Sequence, residues 1–194
     1  MWNRLVQTTA PESTPVTVDE AKVHIRVEHD DEDTYIQTLI DAAVGMIDGP
    51  DGIGIAMVEQ TWEASLDCFP VGAIILPLVP CLTVESITYI DANGDEQTLD
   101  DALYQVDVRS KPARILPAVG TSWPATQSGA ANAVIIEATF GYVTVPALLR
   151  AAILFIVGHL YENREAVVIG TIATEIPLAA RDMLNKYAVG RAAA

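Results

Sequence analysis

The spacing of apolar residues changes twice along this chain, and that change limits which folds it can adopt. Before about residue 50, and again from Pro146, apolar residues recur every three or four positions, as on one face of a helix. Between these regions, segments such as Gln60–Asp67 alternate apolar and polar residues, as in strands with one buried face. Helices at both chain ends most simply pack together. The sequence therefore predicts an α+β fold, with N- and C-terminal helices forming one helical bundle and an inserted β-rich unit of about six short strands.

The expected domain boundaries follow from the same change in spacing. Residues 1–50 together with residues 143–187 form the predicted helical core, and residues 51–142 form the β-rich insertion. Residues 188–194 are expected to be a mobile C-terminal tail, because they are small and carry a single charge.

Local signals support several of these elements. Thr17 and Glu20 have the spacing of a capping box, which predicts a first helix that runs to about Arg26. The acidic run Asp30–Asp33 precedes the second helical pattern, where the helix dipole favours negative charge. A metal site formed by these acids is the alternative interpretation. It is disfavoured because consecutive acids at the start of a helix point in different directions and cannot easily converge on one ion. Asn93–Gly94 predicts a hairpin turn, since glycine adopts positive φ at no steric cost.

The most apolar stretch of the chain runs from Ala147 to Leu160. It is shorter than the roughly 20 residues that a helix needs to span a bilayer, so a buried helix is expected and no membrane association. Phe155 extends its apolar stripe to nearly all faces, which indicates packing against neighbouring subunits in an oligomer. The candidate subunit-contact residues lie on this helix or at its end: Leu149, Ile153, Ile156, Leu160, Tyr161 and Arg164.

The net charge, the N-terminal residues and the two cysteines limit the functions and locations that are expected for this protein. The formal net charge is −15 at pH 7, which argues against a protein that grips DNA, because phosphate binding needs clustered lysine and arginine. A protein past which DNA slides stays open, since a wall of like charge gives a polyanion no place to bind. The first 15 residues contain no long apolar run and no cleavage signal, so secretion is not expected. Cys68 and Cys81 are expected to be reduced thiols, which agrees with synthesis in the cytoplasm.

No complete catalytic, cofactor or metal motif is present, so the sequence predicts no enzyme and assigns no catalytic, cofactor-binding or metal-binding residue. The segment Asp91–Ala102 begins like a calcium loop but lacks the glycine at its sixth position and the glutamate at its twelfth. No lysine follows a glycine-rich turn, and no serine occupies a GxSxG elbow. The abundant carboxylates leave a small carboxylate-dependent hydrolase as an open alternative.

Several short motifs, taken in their order and spacing, resemble the head-tail connector (adaptor) proteins of long-tailed phages, prophages and gene transfer agents. The resemblance covers roughly residues 15–187, although each motif alone is weak. The motifs that carry it are Pro15–Val27 with the following acidic run and Ile36–Ala43, Gln60–Trp62, Phe69–Pro70, Ile75–Pro77, Ile115–Pro117, Trp123–Pro124, Gly141–Tyr142, Val145–Pro146 and His159–Glu165.

This resemblance implies a structural role in the neck of a phage or phage-like particle that assembles in the bacterial cytoplasm. Such proteins form a ring of about a dozen copies that joins the portal protein to stopper or tail-completion proteins, and DNA passes through the ring without specific binding. The helix Pro146–Glu165 would then form the ring interface. The segment Tyr187–Ala194 would reach the portal, with Tyr187 and Arg191 as candidate docking residues. Another head-completion or stopper protein of the same particle is the nearest alternative, although such proteins are mostly β.

Overall fold

The computed structural model describes residues 4–164 and 177–188, and these residues form two compact units. The sheet unit consists of Met1–Glu12 and Val58–Val143, and the helical unit consists of Ser13–Met57 and Thr144–Ala194. Helices and strands are both present, which is compatible with the predicted α+β class. No helix in the described ranges has the length and apolar character needed to cross a bilayer.

The described part of the sheet unit contains eight strands in two antiparallel sheets. In chain order the strands are β1 (Arg4–Thr9), β2 (Gln60–Leu66), β3 (Ile74–Ile75), β4 (Cys81–Ile90), β5 (Glu96–Thr98), β6 (Tyr104–Asp107), β7 (Arg114–Pro117) and β8 (Val134–Phe140). The five-stranded sheet has the order β1-β2-β8-β4-β5, and the three-stranded sheet has the order β3-β7-β6. A 3-10 turn, Asp101–Leu103, precedes β6.

Strand alternation gives the five-stranded sheet one apolar and one polar face. Ala64, Ile136 and Ile87 lie opposite one another on β2, β8 and β4, and all three are buried. One residue further along, Glu63 lies opposite Glu137 on the other face, and both are half-buried. Because successive side chains of a strand point to opposite faces, the core residues and the carboxylates are kept apart.

The N-terminal strand β1 differs from the prediction. Residues 1–50 were expected in the helical core, yet Arg4–Thr9 pairs with β2 as an edge strand of the five-stranded sheet. A six-residue segment has too few positions to show a decisive spacing pattern, so the sequence did not indicate this strand. Residues 51–57 lie in the helical unit rather than in the β-rich insertion. In the described part of the chain seven strands follow residue 57, close to the expected number of about six.

The described part of the helical unit contains four helices: α1 (Val18–Ile25), α2 (Asp33–Gly45), α3 (Ala147–Glu162) and α4 (Leu178–Asn185). The predicted capping box is present, since the Thr17 hydroxyl accepts from the Glu20 amide and the Glu20 carboxylate accepts from the Thr17 amide. Arg26 ends α1 in the left-handed conformation, with φ at 61°. The helix α3 contacts α1, α2 and α4, and α1 also contacts α2.

Candidate functional site

The predicted subunit-contact residues lie in two different environments. Leu149, Ile153 and Ile156 are at most 2% exposed within a single chain. The remaining three lie at the C-terminal end of α3, where Leu160 and Tyr161 are half-buried and Arg164 is exposed. In this conformation the first three are therefore unavailable to a second copy, and only the end of α3 presents candidate contact residues to the surroundings.

Tyr161 and Arg164 also bind the start of α2 in the same chain. The Tyr161 hydroxyl and the Arg164 guanidinium both donate to the Glu32 carboxylate, the latter over 2.7 Å. The Arg164 guanidinium carbon lies 4.8 Å from the Tyr35 ring centroid and 5.0 Å from that of Tyr161, which are cation–π distances. The hydrogen bond from Tyr161, followed by that from Arg164, lowers the pKa of Glu32. This cluster fixes the end of α3 against the start of α2.

A second polar cluster explains part of the acidic run. The Lys22 ammonium lies 2.5 Å from an Asp30 oxygen and 2.8 Å from an Asp33 oxygen, and the lysine is only 8% exposed. Hydrogen bonds to Asp30 and then to Asp33 raise the pKa of Lys22 to about 12. A buried ammonium needs such partners, because leaving it unpaired would carry the full cost of removing it from water. These two acids therefore hold the connection between α1 and α2.

A groove lies between the end of α1 and the C-terminal half of α3, and nothing in the sequence singled it out. The His24 ring meets the Phe155 ring edge to face, with the centroids 5.8 Å apart. A side-chain carbon added at Gly158 would lie 3.3 Å from Nε2 of His24, so glycine permits this close approach. Phe155, within the groove, is 39% exposed. The residues that line it are His24, Ile25, Arg26, Phe155, Gly158, His159, Glu162 and Asn163.

The sheet unit presents a braced apolar loop. The Phe69 and Trp123 rings stack with centroids 5.0 Å apart, and the Trp123 indole donates to the Gly72 carbonyl over 2.7 Å. Val71 lies between these anchored residues in the loop and is fully exposed. Two of the short motifs that carry the family resemblance, Phe69–Pro70 and Trp123–Pro124, thus meet in space and fix one loop.

Of the two candidate portal-docking residues, only Tyr187 lies within the described residues. Tyr187 follows α4 and is half-buried. Arg191 and most of the predicted tail lie outside the described residues, so their assignment stays a prediction. Tyr187 itself has a contact within the chain.

Hydrogen bonds and burial shift the pKa of several titratable groups among the described residues. The carboxyl groups with a clearly shifted pKa all have it lowered, with hydrogen bonds as the largest cause: Asp30, Glu32, Asp91 and Asp107. A carboxyl that acts as a general acid near neutral pH needs the opposite shift. Burial raises the pKa of the Cys81 thiol to about 11, and within the described ranges no three His, Cys, Asp or Glu side chains could hold a metal ion.

Comparison with known proteins connects this fold to phage-like particles. A chain from a structure titled "Virion of native gene transfer agent (GTA) particle" is 21% identical, with a TM-score of 0.75 over 94% of this chain and 94% of that chain. A chain from the "Neck of empty GTA particle computed with C6 symmetry" is 22% identical, with a TM-score of 0.74 over 95% and 94% of the two chains. A third, from the "Neck of native GTA particle computed with C12 symmetry", is 20% identical, with a TM-score of 0.69 over 95% and 94%.

These likenesses show that the chain shares the fold of those proteins across both of its units. None of the curated proteins compared with the sequence matches it. The model of the phage gp6-like head-tail connector protein family matches residues 15–102, a range that begins before α1 and extends through β5. The resemblance to head-tail connector proteins that the sequence motifs indicate is thereby confirmed.

Proposed function

We propose that this chain is a structural head-tail connector subunit, which forms a ring between the portal and the stopper or tail-completion proteins of a tailed phage or phage-like particle. The observation that carries the proposal is the agreement in fold over 94% of both chains with a protein of a gene transfer agent virion. The family match over residues 15–102 supports the same role independently of that agreement.

The symmetry of the related particles supports a ring. Two of the matched structures are necks computed with C6 and C12 symmetry, and about a dozen copies is the ring size that we propose here. In a closed ring of identical subunits each copy presents two different, complementary surfaces. We assign subunit contacts to the helical unit, with Leu160, Tyr161 and Arg164 as exposed or half-buried candidates. Leu149, Ile153 and Ile156 are buried, so in this proposal they hold α3 in place beneath that surface.

The surface charge supports a passage that does not hold DNA. Glu63 and Glu137 lie directly opposite each other on the polar face of the five-stranded sheet, although like charges in this position destabilise a sheet. Glu85, in a bulge of the neighbouring strand, adds a third carboxylate and accepts from the Thr139 hydroxyl over 3.0 Å. An acidic surface repels a polyanion, so DNA would pass without specific binding.

Genetic removal tests the role in particles. Deleting the gene from a producing strain should leave DNA-filled heads without tails, and expression of the wild-type chain from a plasmid should restore tailed particles. Negative-stain micrographs give the ratio of tailed to tailless heads. Tailed particles at the normal yield in the deletion strain would overturn the proposal.

Binding to purified portal separates a connector from a stopper. A connector contacts the portal directly, so the full-length chain should be retained by immobilised portal rings without any other particle protein. A stopper would be retained only after a separate connector protein is added. A chain that ends at Tyr187 should bind less well if residues 188–194 dock on the portal, and retention equal to that of the full-length chain would exclude that docking role.

A further inference from the structure

The groove between α1 and α3 is an incompletely covered part of the helical unit. Phe155, Gly158, His159 and Glu162 follow one another at helical spacing along one stripe of α3, on a different side from the buried residues. The end of α1 forms the opposite wall and contributes Ile25 and the left-handed Arg26. The groove therefore lies between two helices, α1 and α3, which approach each other closely at Gly158 because glycine has no side chain.

The groove combines a partly exposed aromatic side chain, Phe155, with the cation Arg26 and the carboxylate Glu162. Phe155 lines the groove and is 39% exposed, whereas large apolar side chains of α3 such as Ile153 are fully buried. Arg26 is exposed, and it forms no ion pair with another residue of the described ranges. Contacts between proteins typically place an aromatic side chain at the centre and arginine nearby.

We infer that this groove is an interface in which Phe155 and Arg26 of one copy receive an acidic segment of a second copy of this chain. The inference rests on the proposed function, because a ring of identical subunits requires a surface that accepts the adjacent copy. Charge complementarity favours the second copy as the occupant. The chain has 26 acidic and 11 basic residues, so the surface of any adjacent copy offers carboxylates to Arg26.

Photo-crosslinking identifies the occupant directly. The photoreactive amino acid p-benzoylphenylalanine replaces Phe155, and assembled particles are irradiated, denatured and separated by mass. The expected product is a covalent dimer of the 20.8 kDa chain, whose joined peptides mass spectrometry can assign. Particles that are dissociated and diluted before irradiation should yield much less of this dimer. A product that joins the photoreactive residue at position 155 to a different particle protein or to DNA would overturn the inference, and so would the absence of any product.

Competition for incorporation tests the two contact residues. Wild-type and variant chains are expressed together, and mass spectrometry of purified particles gives the ratio in which they are incorporated. Phe155→Ser should reduce incorporation roughly 30-fold if Phe155 is a central contact of the interface. Arg26→Glu, at an exposed position, should also reduce incorporation, whereas the matched control Arg109→Glu in the sheet unit should not.

Two outcomes distinguish this inference from the proposed function. If the wild-type chain is present in particles but Arg26→Glu and Arg109→Glu are incorporated equally, the groove is not a subunit interface and the connector role is unaffected. If the wild-type chain is absent from the particles altogether, the proposed function itself is wrong. Circular dichroism of the purified Phe155→Ser chain checks that its helical content is retained, so that lost incorporation reports on assembly.

Discussion

Replacing Gly141 by alanine should lower the free energy of unfolding for two reasons that can be tested separately. Its φ of +135° is rarely adopted by residues with a side chain, and a carbon added at this position would lie 2.5 Å from the carbonyl group of Val58. The contacted atoms belong to the backbone and cannot rotate away. Gly141 immediately follows β8, and its amide donates to the Pro80 carbonyl over 2.9 Å, so the chain cannot easily shift.

Gly72 is a matched control for the backbone contribution. Its φ is +134°, almost equal to that of Gly141, but an added carbon would meet nothing within 4 Å. Both Gly141→Ala and Gly72→Ala therefore incur the strain of an unfavourable φ, about 1–3 kcal/mol. Only Gly141→Ala adds the steric clash, which costs a further 1–3 kcal/mol or so. We expect Gly141→Ala to lower the free energy of unfolding by at least about 1 kcal/mol more than Gly72→Ala.

Urea unfolding followed by tryptophan fluorescence measures this difference in unfolding free energy for the sheet unit, which contains Gly72 and Gly141. Trp62 and Trp123 belong to the sheet unit, and the sequence of the helical unit contains no tryptophan. The midpoint urea concentration should decrease in the order wild type, Gly72→Ala, Gly141→Ala, with an unchanged slope. Equal destabilisation by the two substitutions, within about 0.5 kcal/mol, would show that the close approach to Val58 does not limit this position.

Two ion-pair clusters give predictions with a defined pH dependence. Lys22→Met should speed hydrogen exchange in residues 27–33, since the pairs with Asp30 and Asp33 hold that connection; equal exchange rates would contradict this role. The Lys22 pKa is raised from 10.5 to about 12, so its stabilising effect should be complete below pH 10.5 and be lost as the pH rises through about 12. Asp107 has its pKa lowered from 3.8 to about 2 by hydrogen bonds from Ser110 and then Arg114. Asp107→Asn should therefore destabilise the chain above pH 3.8, and urea midpoints of mutant and wild type should converge as the pH falls through about 2.

The sequence predicted correctly those features that depend on interactions between residues close together in the chain. The capping box at Thr17 and Glu20 marks the start of α1, because both of its hydrogen bonds join residues three positions apart. The turn at Asn93–Gly94 connects β4 to β5 as expected, with Gly94 at a φ of +93°. In each case the residues that form the structure are near neighbours in the sequence.

Contacts between distant residues could not be predicted in the same way. Arg164 and Glu32 are 132 positions apart, and no pattern near either residue indicates the other. The same holds for Phe69 and Trp123, whose stacking joins two short motifs that are individually weak. An alignment of related sequences could have shown such pairs by their covariation, whereas spacing within one sequence cannot.

The burial of α3 changes what its hydrophobicity says about assembly. A helix that is apolar on nearly all faces is expected to be covered on several sides, and here α1, α2 and α4 of the same chain contact it. Truncating Leu149, Ile153 or Ile156 to alanine would remove about 2–5 kcal/mol of core packing from the chain itself. An assembly defect in such a variant would therefore report on folding. Of the large apolar side chains on α3, Phe155 is the one that the chain leaves exposed, so a substitution at Phe155 tests subunit contact with the least effect on folding.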